Sequence, residues 1–224
     1  MRIFKDLPRI LAALGMALAL AGCGVNDIPT KDQAVKAAFG NLQAAYQRRA
    51  DLIPNLVATV QGYAAQEKNV LVEVTQARAQ ATHVSVDAST ITDPAALAKY
   101  QAAQDQLSGV LGHLLSITEN YPQLQSDQNF LALQAQLEGT ENRIEIARRD
   151  YNAAVQDYNT ELVTFPGVIW ASTMYKSYKP AAQFQATAAA QSAPVVHFPG
   201  ADTAPSAAAP TPPAPAPAPA PQSP

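Results

Sequence analysis

The sequence predicts an all-α protein: an antiparallel bundle of three long helices, a short C-terminal helix or hook, and a disordered Pro/Ala-rich tail. Three observations predict it. Between about residues 30 and 185, apolar residues recur at steps of three and four, the period of one helix face. Capping residues and prolines bracket the periodic runs. The two ends differ from this middle in composition, which sets the organisation: 1–22 a signal peptide, 23–29 a tether, 30–185 the bundle, 186–224 the tail.

The N-terminus has a basic start (Arg2, Lys5, Arg9) followed by an apolar run, Ile10 to Ala21. Twelve residues are short for a bilayer-spanning helix, which needs about 20, and suit the h-region of a secretory signal. Cys23 is the single cysteine, so no internal disulfide can form. Leu20–Cys23, LAGC, resembles the lipobox of bacterial lipoproteins. That resemblance implies acylation of Cys23, attachment to the membrane through its lipid, and a place in the bacterial cell envelope facing out of the cytoplasm. Gly24, not Asp, follows, which in bacteria with two membranes favours the outer one. The alternative is an uncleaved signal anchor with an ordinary cysteine.

The first seam is Val35, Phe39, Leu42, Tyr46, Ala50, Ile53, Leu56, Val60, Tyr63, Glu67, Val70 and Val74, with every step three or four. Pro54 lies inside it. A helix that stopped there would be free to restart with its stripe on any side, whereas this stripe keeps phase, so the spacing predicts one long helix kinked at Pro54. Pro54 cannot donate to the carbonyl of Ala50, at a cost of about 3 kcal/mol in isolation. The competing reading has Asp51 capping a new helix with Pro54 in its first turn.

The second seam opens at Asp93-Pro94, a cap followed by proline at the first helical position. It runs Leu97, Tyr100, Ala103, Leu107, Val110, Leu114, Ile117 and closes at Tyr121-Pro122; His83 to Asp93 reads as a loop. The third opens at Ser126 or Asp127: Phe130, Leu133, Leu137, Thr140, Ile144, Ala147, Tyr151, Ala154, Tyr158, Leu162, Phe165. Its steps alternate three and four without a slip, so neighbours pack nearly antiparallel, with coiled-coil-like insertion. Phe165-Pro166-Gly167 stops it, and Val168 to Tyr178 forms the short helix or hook. Within this helix Asp150-Tyr151-Asn152 recurs as Asp157-Tyr158-Asn159. Buried, these side chains need partners and fix register between helices; otherwise they sit at the wet edge of the seam.

From Pro194 onward 11 of 31 residues are proline, most of the rest Ala or Ser, so the tail has little to bury and extends polyproline-like. It is either a spacer or ligand for an aromatic groove, or simply solvated. Loss of residues 1–22 leaves 12 basic and 17 acidic residues, net −5, with no basic run. That argues against nucleic-acid binding and against attachment to anionic lipid by charge.

Arg48 to Leu71, RRADLIPNLVATVQGYAAQEKNVL, with Val74 to Arg78, resembles the signature of the LemA family. So do Glu119 to Ile144 and Ala147 to Pro166, and the likeness spans roughly 30–180. It implies a membrane-attached helical bundle outside the cytoplasm, with no established enzymatic activity. The family pattern falls on Arg49, Asp51, Pro54, Asn55, Tyr63, Glu67, Arg78, Glu119, Tyr121, Pro122, Asn129, Phe130, Glu141, Asn142, Arg148, Tyr151, Asn152, Tyr158, Asn159 and Pro166. It implies an interhelical polar network drawn from Arg49, Asn55, Glu67, Arg78, Glu141, Asn142, Arg148, Tyr151, Asn152, Tyr158 and Asn159, with Glu67 partnering a cation. The chain departs from the family in its lipobox, in Phe39 where a tryptophan is usual, and in a reduced aromatic end after Pro180.

Chemistry is sparse. His83, His113 and His197 share no metal-ligand spacing. Gly109 to Gly112 lacks the lysine of a phosphate loop, and no GxSxG occurs. Glu138, Glu141 and Glu145 stand at helical spacing without the ExxH of a di-metal bundle; Glu141 and Glu145 are read as one-turn partners of Arg148 and Arg149. The expectation is therefore no catalytic residue, metal, cofactor or small-molecule substrate. The protein is read as a lipid-anchored interaction or scaffold module that docks an envelope protein or a second copy of itself. The competing reading is an envelope enzyme using the Glu/Asn/Arg/Tyr cluster at 141–159.

Overall fold

The structure, a computed structural model, describes residues 24–84 and 90–185. The expected signal peptide 1–22, Cys23, His197 and the expected tail 186–224 lie outside them. Six α-helices follow one another: α1 Asp27–Tyr63, α2 Lys68–His83, α3 Pro94–Thr118, α4 Pro122–Gln125, α5 Gln128–Val163 and α6 Gly167–Thr173. A 3-10 turn, Thr90–Thr92, precedes α3, and no strand occurs among the described residues. The fold is all-α, as the periodicity predicts.

Two of the predicted starts form as capped helices. The Asp93 carboxylate accepts from the backbone N–H groups of Ala95 and Ala96, with Pro94 next to it, and Asp127 accepts from Phe130 N at 2.9 Å. Each satisfies donors that a helix N-terminus otherwise leaves unpaired.

α1 runs unbroken through Pro54, so no new helix begins at Asp51. The single first rod is nevertheless corrected. The helix ends at Tyr63, a non-helical Ala64 follows, and α2 starts four residues on. Residue 78 of α2 bonds residue 50 of α1, so the chain folds back about residue 64 as a helical hairpin. Spacing could not separate the two shapes. A tight reversal whose arms both bury an apolar stripe keeps the same count of three and four. Four helices of sixteen residues or more therefore replace the three expected.

α1 and α5 are antiparallel along their length: Lys31 meets Glu161, Arg49 meets Glu141, and Tyr63 meets Asp127. α2 and α3 are antiparallel too, with Glu67 beside Tyr121 and Ala81 beside Gln104. The core lies in two apolar clusters. One gathers Phe39, Leu42, Tyr46, Tyr100, Ile144, Tyr151 and Tyr158. The other gathers Ile53, Leu56, Val74, Leu107, Leu114, Phe130 and Leu137.

The seams hold with specific exceptions. Tyr63 and Phe165 are exposed, because each stands where its helix has ended or is ending. In α3 the buried line is Leu97, Tyr100, Gln104, Leu107, Leu111, Leu114 and Thr118, while Ala103, Val110 and Ile117 are only half-buried. The apolar choice at each of those three steps was the wrong one. In α5, Leu133, Ala147 and Ala154 are half-buried, and Val155 is buried.

Candidate functional site: a polar layer and a strap held by its backbone

Between the two clusters lies a polar layer to which all four long helices contribute. Its centre is Arg49 of α1, 1% exposed. One guanidinium nitrogen donates to Ser108 Oγ of α3 at 2.5 Å and to Glu141 Oε1 of α5 at 2.8 Å. The other donates to the side-chain and backbone oxygens of Gln104, at 2.7 and 3.2 Å. Gln104 in turn donates to the Ala81 carbonyl of α2 at 3.1 Å. A charge placed among apolar side chains is tolerated only when paired and hydrogen-bonded. Here the planar fork of the guanidinium meets four acceptor atoms on three residues, and the Glu141 side chain, 44% exposed, keeps its carboxylate in touch with water. Any slip of one helix past another breaks this set, so the layer fixes register.

A second fastener answers the proline. Pro54 has no N–H to give the Ala50 carbonyl. Arg78 Nε of α2 donates to that oxygen instead, at 2.7 Å. The donor missing from α1 is supplied by the returning arm of the hairpin, and the two residues form one unit.

The Tyr-Asn repeat of α5 does not join helices. Beyond α6 the chain runs without helix through Lys179–Gln185 and lies along α5. Tyr158 donates to the Lys179 carbonyl at 3.0 Å and Tyr151 to the Ala182 carbonyl at 2.8 Å. Asn159 pairs both ways with the backbone of Ala181, and Asn152 likewise with Phe184, at 2.8 to 3.0 Å. Seven residues on the helix thus match three on the strap. Seven helical residues rise about 10.5 Å, and three extended residues span about 10 Å, which is why a heptad repeat can track an extended chain. All these bonds go to main chain. Side-chain selection rests on Ala181 and Phe184, which are buried, and on exposed Gln183, whose amide donates to the Asn152 carbonyl at 3.2 Å. The Phe184 ring meets Tyr151 edge-on at 5.3 Å and lies under the Arg148 guanidinium at 5.5 Å. The other edge of the strap is held by Ile91, which accepts from Ala182 N, and by Gln101, which exchanges bonds with Gln185. Burial raises the Tyr151 hydroxyl above its ordinary range, and burial, with Asp32 and Tyr178 nearby, pushes Tyr158 up to about 12.

The remaining expected site residues scatter. Arg148 donates to the Tyr46 hydroxyl at 3.1 Å and to Asp105 at 3.3 Å. Glu67 partners no cation; it accepts from the Tyr121 hydroxyl at 2.7 Å beside the hairpin turn. Glu141 bonds Arg49 across the bundle, not Arg148 or Arg149 along its own helix. Asn55 is exposed outside the layer, and Asn142 is exposed on the rim of a groove between α3 and α5. Gln104, Ser108 and Asp105 belong to the arrangement and were not expected. The signal for Gln104 is present in the spacing, since Leu97, Tyr100, Gln104 and Leu107 step three, four, three, whereas Ala103 in its place gives three, three, four.

Among the described residues no group of His, Cys, Asp and Glu side chains could hold a metal ion, and no helix is long and apolar enough to cross a membrane. The model of the family described as "LemA family" matches residues 38–198, well over half the chain. The chain belongs to the LemA family. Over 157 residues it is 26% identical to the magnetosome proteins MamQ 1 and MamQ 2 of Paramagnetospirillum magneticum, covering 63% of this chain and 58% of theirs. Over 140 residues it is 25% identical to Protein LemA of Metamycoplasma hominis, covering 62% and 60%. The chain thus spans about three-fifths of the length of these relatives. The LemA match covers the polar layer, Pro54 with Arg78, and both Tyr-Asn pairs with the strap they hold.

Proposed function

We propose that this LemA-family protein is a non-catalytic module of the cell envelope, anchored to the membrane through acylated Cys23, that docks another envelope protein or a second copy of itself. The observation that carries the reading is where the polar residues of the 141–159 cluster go. Glu141, Arg148, Tyr151, Asn152, Tyr158 and Asn159 all bond other parts of the same chain. They hold helices and strap in place, which leaves them poorly placed to meet a substrate. Neither kind of relative is named for a reaction: one is a magnetosome protein, the other Protein LemA.

Two measurements on the full-length protein in cells test this. Cross-linking is expected to recover a discrete partner, lost on exposed-face substitutions that leave the melting temperature unchanged. Glu141→Gln is expected to lower the melting temperature by a few degrees, on the order of 1 kcal/mol, because a half-exposed partner is withdrawn from a buried cation. A Glu141→Gln protein with unaltered melting temperature and abolished cellular function would instead favour the catalytic reading.

A further inference from the structure

The end of the bundle where α5 stops and α6 begins carries exposed apolar side chains. Phe165 is 79% exposed, Val163 71% and Met174 63%, and Val168 and Ile169 on α6 are exposed beside them. Soluble proteins seldom leave so many large apolar groups together without an occupant. Two features of the same end indicate which. The first is where the chain enters. Gly24 adopts a left-handed backbone, φ +115°, and lies against Pro166: a side chain added there would stand 3.5 Å from the proline ring. Cys23 is the preceding residue in the chain, so acyl chains on it would be attached one residue from this contact with Pro166. The second is composition. The chain as a whole is acidic, yet residues 162–185 contain Lys176 and Lys179 and no Asp or Glu, and both lysines are exposed. Half-buried Trp170, Tyr175 and Tyr178 belong to the same segment.

Apolar tips, amphipathic aromatic rings and two exposed lysines, with exposed Asp27 beside Gly24 as the counter-charge, suit a surface that lies in the headgroup layer of a bilayer. We infer that this end of the bundle, Val163, Phe165, Val168, Ile169 and Met174 with Lys176 and Lys179, seats in the headgroup layer of a lipid surface, held there by its apolar and aromatic side chains and not by net charge. The bundle is then held to the membrane at two adjacent points and in one orientation, α1 and α5 pointing away from it. The inference rests on acylation of Cys23, which delivers this end to the lipid.

Trp170 is the only tryptophan and lies in α6, so its emission reads this end without a label. The full-length protein is reconstituted into vesicles of equal phosphatidylcholine and phosphatidylglycerol, with or without bromine on the acyl chains. Flotation of the vesicles reads anchoring; Trp170 quenching reads seating. A ring seated about 5–10 Å into the headgroup–acyl boundary is expected to lose roughly half its emission to the brominated chains. Val163→Ser with Phe165→Ser is expected to float as well as the parent, with an unchanged helical circular dichroism spectrum, and to lose most of the quenching. A protein that floats while Trp170 is unquenched overturns the seating and leaves the anchor standing. Failure to float overturns both. Equal quenching in the double variant, or a concentration-dependent dimer in detergent abolished by the same pair, overturns the lipid as occupant.

Discussion

If Arg78 substitutes for the donor that Pro54 lacks, the two residues are energetically coupled, and a double-mutant cycle measures the coupling. In the parent, Arg78→Met removes a charged donor from a half-buried main-chain oxygen that has no N–H of residue 54 to turn to. Hydrogen bonds to charged groups contribute about 1.5–3 kcal/mol. For a bundle of this size that corresponds to a fall in melting temperature of roughly 4–10 °C. In a Pro54→Ala background residue 54 again has an N–H, four residues beyond Ala50, and the helix can satisfy its own carbonyl. Arg78→Met should then cost under about 1 kcal/mol, mainly for lost packing of the arginine stem. The assay is urea denaturation of the four proteins, followed by helical circular dichroism. An equal cost for Arg78→Met in both backgrounds would refute the pairing and reduce Arg78 to a surface contact.

Asn152→Ala and Asn159→Ala each remove a two-way bond to the strap and should each lower stability by about 1–2 kcal/mol. Hydrogen exchange should rise at the Phe184 amide in the first variant and the Ala181 amide in the second; unchanged exchange at both would mean the ladder does not hold the strap. Alkaline pH should release the same segment. Tyr158 titrates at about 12 in the folded protein against an ordinary value of 10, so the folded state keeps a proton that the unfolded state loses. Its contribution is complete below pH 10 and is lost as pH rises to about 12. Tyr151, also raised by burial, acts in the same direction. Tyrosinate absorbance and strap exchange should rise together, and Tyr158→Phe should shift that joint transition.

The helices were legible because their cause is local. Caps at Asp93 and Asp127 and the three-four spacing are properties of neighbouring residues. The hairpin turn was not legible, because reversing a chain at Ala64 leaves the count of apolar residues unchanged. What Arg49 and Arg78 do was half legible. A buried charge must find partners, and a proline must orphan a carbonyl, but which distant atom answers is set by tertiary contact. Gln104 is not legible as core by composition, because apolar Ala103 stands next to it and an amide is buried there only for the sake of Arg49. The Tyr-Asn repeat is legible, but its heptad spacing fits a bond to another helix and a wet edge of the seam alike. A match of seven helical to three extended residues is invisible until the strap is in view, since Lys179–Gln185 has no periodicity of its own.

That match makes the segment indifferent to spelling and sensitive to length. Because tyrosine and asparagine grip only carbonyls and amides, an exposed residue such as Gln185, held by its own main chain, could be exchanged freely while Phe184 keeps its place among the aromatic rings. One residue inserted between Ala181 and Phe184 would slide every later rung by about 3.3 Å, more than a hydrogen bond can stretch. Sequences that keep the two Tyr-Asn pairs should therefore drift in letters along this stretch and almost never in number.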